Sequence, residues 1–353
     1  MSWRVPTESK SDRVFPMPLR GTVENHRFSS QLLKGNPWGD PSERELPVYI
    51  PPSGRTEGLP LLVLLSGYTG SGWVHFQRPK FLGDTITGRL DRLIRHKLAP
   101  ECVMVGPDCL TLLGGSQYLN SSASGPYEDY VVREVIPFVQ DRYHTGPVAV
   151  MGTSSGGYGS LVLALRHPDV FRAAGSNAGD AYFEYCYPPE FPTAFRELRK
   201  AGGPEKFLEK VLHEPVSGFG PRSPQIQTVE MMGYASCYSP IDSEPGRFDL
   251  PFDLENGQLR PEVWAKWLAW DPVRMVSQER YREAARRLAY LYVDGGTRDE
   301  YSLDIGARVF AHEARKVGAH VDFEEFDGVH GDGGPRYEVI IPRLLSALGF
   351  PAP

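Results

Sequence analysis

The sequence predicts an α/β fold built on a mostly parallel β-sheet with helices on both faces. Short apolar runs of strand length, such as residues 61–65 and 102–106, alternate with segments whose apolar residues recur at helical spacing, such as 131–139. Strands that are apolar on both faces are typical of a parallel sheet buried between two layers of helices. These two observations decide the fold class.

The elements follow in order along the chain. Residues 1–20 are polar and contain proline, which predicts an arm across the surface. Two β segments at 27–33 and 45–50 flank a turn-rich stretch. The later predicted elements are a strand at 61–65, a loop at 66–72, a helix at 84–96, a strand at 102–106, a helix around 131–139, a strand from 148, strands at 289–293 and 321–326 with a helix around 305–317 between them, and a closing helix at 338–349.

One region departs from this alternation. From about residue 180 to residue 276 the chain is rich in Pro, Gly and aromatic residues, with helical pieces near 194–200 and 205–212. We therefore expect a single domain over residues 1–353, with a cap or insertion at 180–276. Three tryptophans at helical spacing, Trp264, Trp267 and Trp270, favour aromatic packing of a helix over a ligand-binding cage.

The composition limits the possible binding partners and the possible cellular location of the protein. The net charge of −6 and the absence of a Lys/Arg cluster argue against nucleic acid as a partner. The first residues lack the apolar core of a secretion signal, and the longest apolar stretch, near 59–65, is too short to span a membrane. Four scattered cysteines fit reduced thiols better than zinc ligands or disulfides. We expect a cytoplasmic protein without metal or cofactor, and its oligomeric state stays open.

The most informative stretch is residues 148–159, VAVMGTSSGGYG. An apolar strand ends in Gly-x-Ser-x-Gly, and further small residues open a helix. This is the layout of a nucleophile elbow, in which only small residues fit beside the serine and backbone strain exposes its hydroxyl. The motif alone arises by chance in a glycine-rich chain. Its position between strand and helix favours a catalytic Ser154 over an ordinary Gly/Ser turn.

A serine hydroxyl becomes a good nucleophile only when a base accepts its proton. The candidate bases are His213, His312, His320 and His330. The first lies in the inserted region, the second inside a helix, and the third before a strand. His330 lies in the Gly-rich loop 327–334 directly after the last strand, at the sheet edge expected for Ser154. A metal site from this histidine with Asp327 and Asp332 is a weaker interpretation, since such spacing is usually a solvated turn.

The acid that orients the histidine is expected on the loop 293–301, after the preceding strand. Asp299 lies far enough into this loop to reach His330. Asp294, at the strand end, and Glu300, with its longer side chain, remain alternatives. Two backbone N–H groups are candidates for stabilising an oxyanion: that of Ser155, directly after the nucleophile, and that of Tyr68, in the loop after the first core strand.

Together these motifs carry a family resemblance. The segment GTSSGGYGSL at 152–161 resembles the elbow of the "putative esterase" family, which includes esterase D (S-formylglutathione hydrolase), enterochelin esterase, feruloyl esterases and mycolyltransferases. The segments at 65–69, 114–121, 127–130, 294–300 and 328–331 are similar to the family's oxyanion, active-site, acid and histidine loops. The resemblance implies an α/β-hydrolase fold, with Asp299 as the acid and His330 as the base.

The sequence therefore predicts a serine hydrolase that cleaves small-molecule carboxylic esters through an acyl-enzyme on Ser154. An acyltransferase or a thioesterase uses the same three residues and remains an alternative. A non-catalytic binding protein is disfavoured, because all the catalytic elements occur in the expected order. Candidate substrate contacts, for which buried packing is an equal alternative, are Gln117, Tyr118, Asn120, Tyr182, Phe183 and Tyr185.

Overall fold

The computed structural model describes residues 18–77, 84–213 and 223–353. Its centre is an eight-stranded sheet with the spatial order β1-β2-β4-β3-β5-β6-β7-β8. The first two strands and the β2–β4 pair are antiparallel, and all pairs from β4 to β8 are parallel. The strands are β1 (Thr22–Ser29), β2 (Glu43–Ile50), β3 (Leu61–Leu65), β4 (Val103–Val105), β5 (Val148–Thr153), β6 (Phe171–Asn177), β7 (Tyr290–Gly296) and β8 (Val321–Phe326).

Helices cover both faces of this sheet, which confirms the predicted fold class. Strand β3 shows why: Leu62 and Leu64 belong to the apolar cluster on one face, whereas Val63 and its alternate neighbours belong to the cluster on the other. The helices are Ile86–Arg95, Tyr127–Asp129 continuing through a π-helical stretch Tyr130–Val135 into Ile136–Tyr143, Ser155–Arg166, Phe183–Cys186, Phe191–Ala201, Pro204–His213, Pro224–Tyr238, Pro261–Leu268, Pro272–Val276, Glu279–Arg287, Leu303–Lys316 and Tyr337–Ala347, with 3₁₀ turns at Gly72–His75, Pro188–Glu190 and His330–Arg336.

One predicted boundary needs correction, and one strand was not predicted. The β segment expected at 27–33 is strand β1, which begins at Thr22 and ends at Ser29. It ends there because the carboxylate of Glu134 accepts hydrogen bonds from the backbone N–H groups of Gln31 (2.8 Å) and Leu32 (3.2 Å), and residues 32–35 form a turn. Strand β6 was not expected, since its sequence FRAAGSN is too small and polar to read as a buried strand. Of the predicted arm at 1–20, the first 17 residues lie outside the described residues.

The helices between β6 and β7 include most of residues 180–276. Trp267 is fully buried there, and its indole N–H donates to Ser239 Oγ at 2.9 Å. Its ring contacts those of Tyr187, Phe191 and Tyr238 at centroid distances of 5.3–5.8 Å. The aromatic spacing therefore anchors a helix by packing, as the sequence indicated.

Two further features concern the cysteines and the possibility of a membrane-spanning helix. All four cysteines are buried, unpaired thiols. Within the three described ranges, no helix is both long enough and apolar enough to cross a bilayer.

Candidate active site

Ser154 lies in the tight turn between strand β5 and the helix Ser155–Arg166. Its backbone has φ 54° and ψ −127°, a strained conformation for a residue other than glycine. The two motif glycines are required by close approach. A Cβ on Gly152 would lie 2.4 Å from the Gly156 backbone, and a Cβ on Gly156 would lie 2.3 Å from the carbonyl oxygen of Leu65. The structure thus has the geometry of a nucleophile elbow.

Ser154 and His330 line the same cavity, which has a volume of about 660 Å³. This volume is in the range of small-molecule sites. One part of the wall comes from the loop after β3 and from the histidine turn His330–Arg336. Another part comes from the inserted helices, with Tyr187, Met231 and Tyr234 among its side chains. The serine therefore opens into a space bounded by both the core and the insertion.

His330 is held by Asp299 on the neighbouring loop. The distance from His330 Nδ1 to Asp299 Oδ2 is 2.8 Å, and the Asp299 side chain is fully buried. The other oxygen of Asp299 accepts the backbone N–H of Tyr301 at 2.9 Å, which fixes the carboxylate in place. Because Nδ1 is engaged by Asp299, Nε2 is the ring nitrogen left for proton transfer.

The surroundings of His330 favour its protonated form. Burial alone would lower its pKa, but the hydrogen bond to Asp299 and the charges of Asp299, Asp180 and Glu300 together raise the pKa above its ordinary value. A base that binds its proton more firmly is better suited to accept one from a serine hydroxyl.

The two alternative acids have other partners. Asp294 Oδ1 accepts from the Asn177 amide at 2.7 Å, and its Oδ2 accepts from Arg336 Nε at 2.8 Å. The Glu300 carboxylate accepts the backbone N–H of His330 at 2.9 Å. The geometry around the imidazole therefore favours Asp299 as the acid.

The loop after β3 lies directly beside the nucleophile. A Cβ on Gly67 would lie 3.4 Å from Ser154 Cβ, so the backbone here approaches the serine closely. The next residue, Tyr68, is anchored by its hydroxyl, which donates to the carbonyl oxygens of Leu113 and Val229. Ser155 is the first residue of its helix, where an N–H has no intrahelical acceptor and negative charge is favoured. Of the two expected oxyanion donors, Ser155 thus follows Ser154 directly in the chain, and Tyr68 follows the glycine whose backbone approaches Ser154 in space.

The comparisons agree with this geometry. Residues 41–334 match the family model described as "Putative esterase". The chain belongs to this family. Among solved structures, it is similar to a ferulic acid esterase (19% identity, 94% of this chain and 98% of that chain covered, TM-score 0.57). It is also similar to the S-formylglutathione hydrolase of Agrobacterium tumefaciens (16%, 94% and 95%, 0.53). A third similar structure is the fluorophosphonate-binding serine hydrolase F of Staphylococcus aureus with substrate bound (14%, 92% and 98%, 0.55).

The protein is therefore a carboxylic ester hydrolase of the serine type, with an α/β-hydrolase fold and small-molecule esters as its substrates. The three structural likenesses are below 25% identity and bear on the fold alone. The family match carries the activity.

A hydrogen-bond relay behind the serine was not foreseen from the sequence of this esterase. The Asn177 carbonyl accepts the backbone N–H of Ser154 at 3.0 Å, and its side-chain oxygen accepts Thr153 Oγ1 at 3.0 Å. Through Asp294 the relay continues to Arg336, which ends the histidine turn. It ties the nucleophile turn to the histidine turn. No local motif marks Asn177, because it meets Thr153 and Asp294 only through the register of three parallel strands.

The six residues expected to contact the substrate have the following positions in the structure. Among the described residues that line the cavity, none of the six candidates occurs. Tyr118 is buried and donates to the Ser66 carbonyl at 2.6 Å, and Gln117 is buried with its amide on Asp180 and Tyr238. Phe183 packs in the core, Tyr182 packs against Tyr185, and Tyr185 and Asn120 are exposed. Packing, the alternative interpretation, describes most of these side chains.

The possible metal ligands near His330 are also engaged. Asp327 pairs with Arg298 at 3.0 Å, and Asp332 Oδ2 accepts the Val329 N–H at 2.9 Å. In the part of the chain that the structure describes, no three His, Cys, Asp or Glu side chains are grouped to hold a metal ion.

Proposed function

We propose that this esterase hydrolyses its substrates through a Ser154–His330–Asp299 triad and an acyl-enzyme intermediate. The observation that carries the proposal is the 2.8 Å bond between His330 Nδ1 and Asp299 Oδ2 at a cavity that Ser154 also lines. The strained backbone of Ser154 supports the same role, since strain of this kind is typical of functional residues.

The proposed reaction has two halves. In the first, Ser154 Oγ attacks the ester carbonyl while His330 Nε2 takes its proton, and the imidazolium then protonates the departing alcohol. In the second, His330 takes a proton from water, which attacks the acyl-enzyme; the imidazolium then returns this proton to Ser154 Oγ as the acid is released. The Tyr68 and Ser155 N–H groups are the proposed donors to both tetrahedral oxyanions. Asp299 holds the imidazole and stabilises its charged form.

We also propose that residues 180–276 act as a cap within the single domain 1–353. Side chains from this stretch line the cavity above Ser154, which supports that role. The cytoplasmic location expected from the sequence stays a prediction, which fractionation of cells that express the protein would check.

Labelling with a fluorophosphonate probe tests the proposed nucleophile. We expect the wild type to label and to hydrolyse a nitrophenyl ester, and Ser154→Ala to lose both. Ser346→Ala, an exposed serine on the last helix, is the matched control and should retain both. A Ser154→Ala protein that still turns over the ester would refute the triad.

Adding an alcohol or thiol acceptor tests the alternative reactions. If the acyl group passes to the alcohol in preference to water, the enzyme is an acyltransferase. If thioesters are cleaved far faster than oxygen esters, it is a thioesterase. We expect neither result.

A further inference from the structure

Among the described residues, four carboxylates that have no part in the proposed triad line the cavity: Asp84, Asp180, Glu190 and Glu230. Asp84 pairs with Arg92 at 2.6 Å. Asp180 follows strand β6 and is 4% exposed, and Glu230 lies on the helix Pro224–Tyr238. Asp180 Oδ2 accepts from Tyr187 OH at 2.9 Å and Gln117 Nε2 at 3.1 Å, whereas no described residue donates to its Oδ1. Among the described residues, Glu230 has no hydrogen-bond or ion-pair partner. Asp180, just after β6, and Glu230, on an inserted helix, thus each have a carboxylate oxygen to which no described residue donates.

Negative charge predominates among the described residues that line this part of the cavity, and the His330 imidazole is the basic group that opposes the rise in the Asp180 pKa. Glu190 also lines the wall, and the described lining residues include no Lys or Arg. Burial, followed by the charges of Glu190 and Asp180, raises the pKa of Glu230 to about 8. Burial also raises the pKa of Asp180, although Tyr187 and Gln117 oppose this. A cation placed here would relieve the repulsion, and an anion would increase it.

Aromatic rings lie beside the two carboxylates. Tyr68, Tyr187 and Tyr234 line the cavity, with ring centroids 5.1 Å apart for Tyr68–Tyr234 and 4.8 Å apart for Tyr187–Tyr234. The face of a tyrosine ring attracts a cation, and this attraction is strongest where water is excluded. Rings and carboxylates together are the usual recognition chemistry for ammonium groups.

We propose that this esterase selects esters that carry an organic cation, with an ammonium group bound between Asp180 and Glu230. The inference rests on the proposed function, because it places the ammonium group in the cavity that opens onto Ser154. A neutral hydroxyl would satisfy one acceptor oxygen but would not offset the negative charge of Asp180 and of ionised Glu230. The cation belongs to the acyl or the alcohol part of the ester, and the experiment distinguishes these two sources.

Matched pairs of esters test the proposal. For the alcohol side, the pair is acetylcholine, the acetate ester of choline, and its neutral isostere, in which carbon replaces the nitrogen. For the acyl side, the pair is an aryl ester of a trimethylammonio alkanoate and the corresponding tert-butyl alkanoate. We expect kcat/KM for the cationic member to exceed that of the neutral one by about tenfold in one pair, mainly through KM.

Substitutions test which residues cause the preference for cationic esters. Glu230→Gln and Asp180→Asn should each lower the cation-to-neutral ratio about fivefold, whereas Glu209→Gln, an exposed charge on another inserted helix, should leave it unchanged. The ratio should rise between about pH 7 and pH 9 as Glu230 ionises, because the shared dependence on His330 cancels and a quaternary ammonium does not titrate. This rise should be absent in Glu230→Gln.

The possible results distinguish a failure of the cation preference from a failure of the proposed triad. A ratio of one or less in both pairs, or a ratio that Glu230→Gln leaves unchanged, overturns the cation preference while hydrolysis of the neutral esters sustains the triad. If no ester is hydrolysed, the triad fails, and calorimetry with trimethylammonium and tert-butyl ketones still decides whether the cavity prefers the cation. Equal binding of the two ketones would then overturn the proposal.

Discussion

Two buried aspartates, Asp294 in strand β7 and Asp299 on the loop that follows it, provide the sharpest test of which side chains serve catalysis and which serve stability. Asp294 and Asp299 both have fully buried side chains, and each pairs with a basic side chain of the turn His330–Arg336. Only Asp299 contacts His330. Replacement by asparagine keeps the shape of the side chain and removes its charge. We therefore predict that Asp299→Asn mainly lowers activity, whereas Asp294→Asn mainly lowers stability.

For Asp299→Asn we expect kcat to fall about 10³- to 10⁴-fold, because an amide neither stabilises the imidazolium nor holds the correct ring tautomer. The melting temperature should change little. The amide oxygen of asparagine can still accept the backbone N–H of Tyr301, which the carboxylate accepts at 2.9 Å.

For Asp294→Asn we expect a loss of stability. The carboxylate accepts from Arg336 at 2.8 Å and from Asn177 at 2.7 Å, and hydrogen bonds to charged groups contribute about 1.5–3 kcal/mol. Arg336 keeps Glu324 as a partner, so we take about 2 kcal/mol. With an unfolding entropy of about 2.1 cal/mol/K per residue, this lowers the melting temperature by about 3 °C. We expect kcat to fall less than tenfold, because the amide can still accept from Asn177.

Thermal melts and steady-state kinetics on a neutral nitrophenyl ester check both variants. Asp141→Asn, an exposed aspartate on the helix Ile136–Tyr143, serves as the matched control. If Asp294→Asn abolishes turnover and Asp299→Asn retains it, the acid is Asp294 and the assignment from geometry is wrong. If both variants only lose stability, neither aspartate is the acid.

Three further predictions follow from the same geometry. On a neutral ester, kcat/KM should rise with pH through an apparent pKa above 6.5, because His330 must be neutral to accept a proton; Asp299→Asn should move this midpoint down, and a pH–rate profile that does not respond would contradict the pairing. Gly156→Ala should lower the rate of fluorophosphonate labelling at least about 100-fold, since its Cβ would lie 2.3 Å from the Leu65 carbonyl oxygen, and normal labelling would show that the turn is not required. Trp267→Ala should destabilise the fold by about 3–5 kcal/mol in chemical denaturation with little change in KM, whereas an altered KM at unchanged stability would favour a ligand cage.

The sequence predicts well those features that a local pattern encodes. Strand β3 reads LLVLL, and its burial on both faces identifies a central strand without further information. The elbow motif is equally local, because the glycines on both sides of Ser154 meet backbone atoms within a few residues or on the adjacent strand. His330 was predicted from its position directly after a strand, and the structure places it at the same cavity as Ser154.

Features that depend on register or on distant segments were missed. Strand β6 is buried by its neighbours, although its sequence contains few large apolar residues. Asn177 is significant only because parallel pairing sets it opposite Thr153 and Asp294. The sequence suggests that Gln117 and Tyr118 bind substrate. In the structure both are buried, and they donate hydrogen bonds to Asp180 and to the Ser66 carbonyl. A pattern that spans a few residues contains none of this information.

Glu230 carried a signal in the sequence that went unused. The helix Pro224–Tyr238 reads PQIQTVEMMGYASCY, and Glu230 is its one charged residue amid side chains that are mostly buried. A carboxylate in such a setting opposes folding, since removing it from water has a cost that no described partner offsets. Charges that persist against this cost are concentrated at functional sites. The lone glutamate therefore indicates the substrate-binding wall, as the elbow indicates the nucleophile, and binding of a cation is the role that compensates its cost.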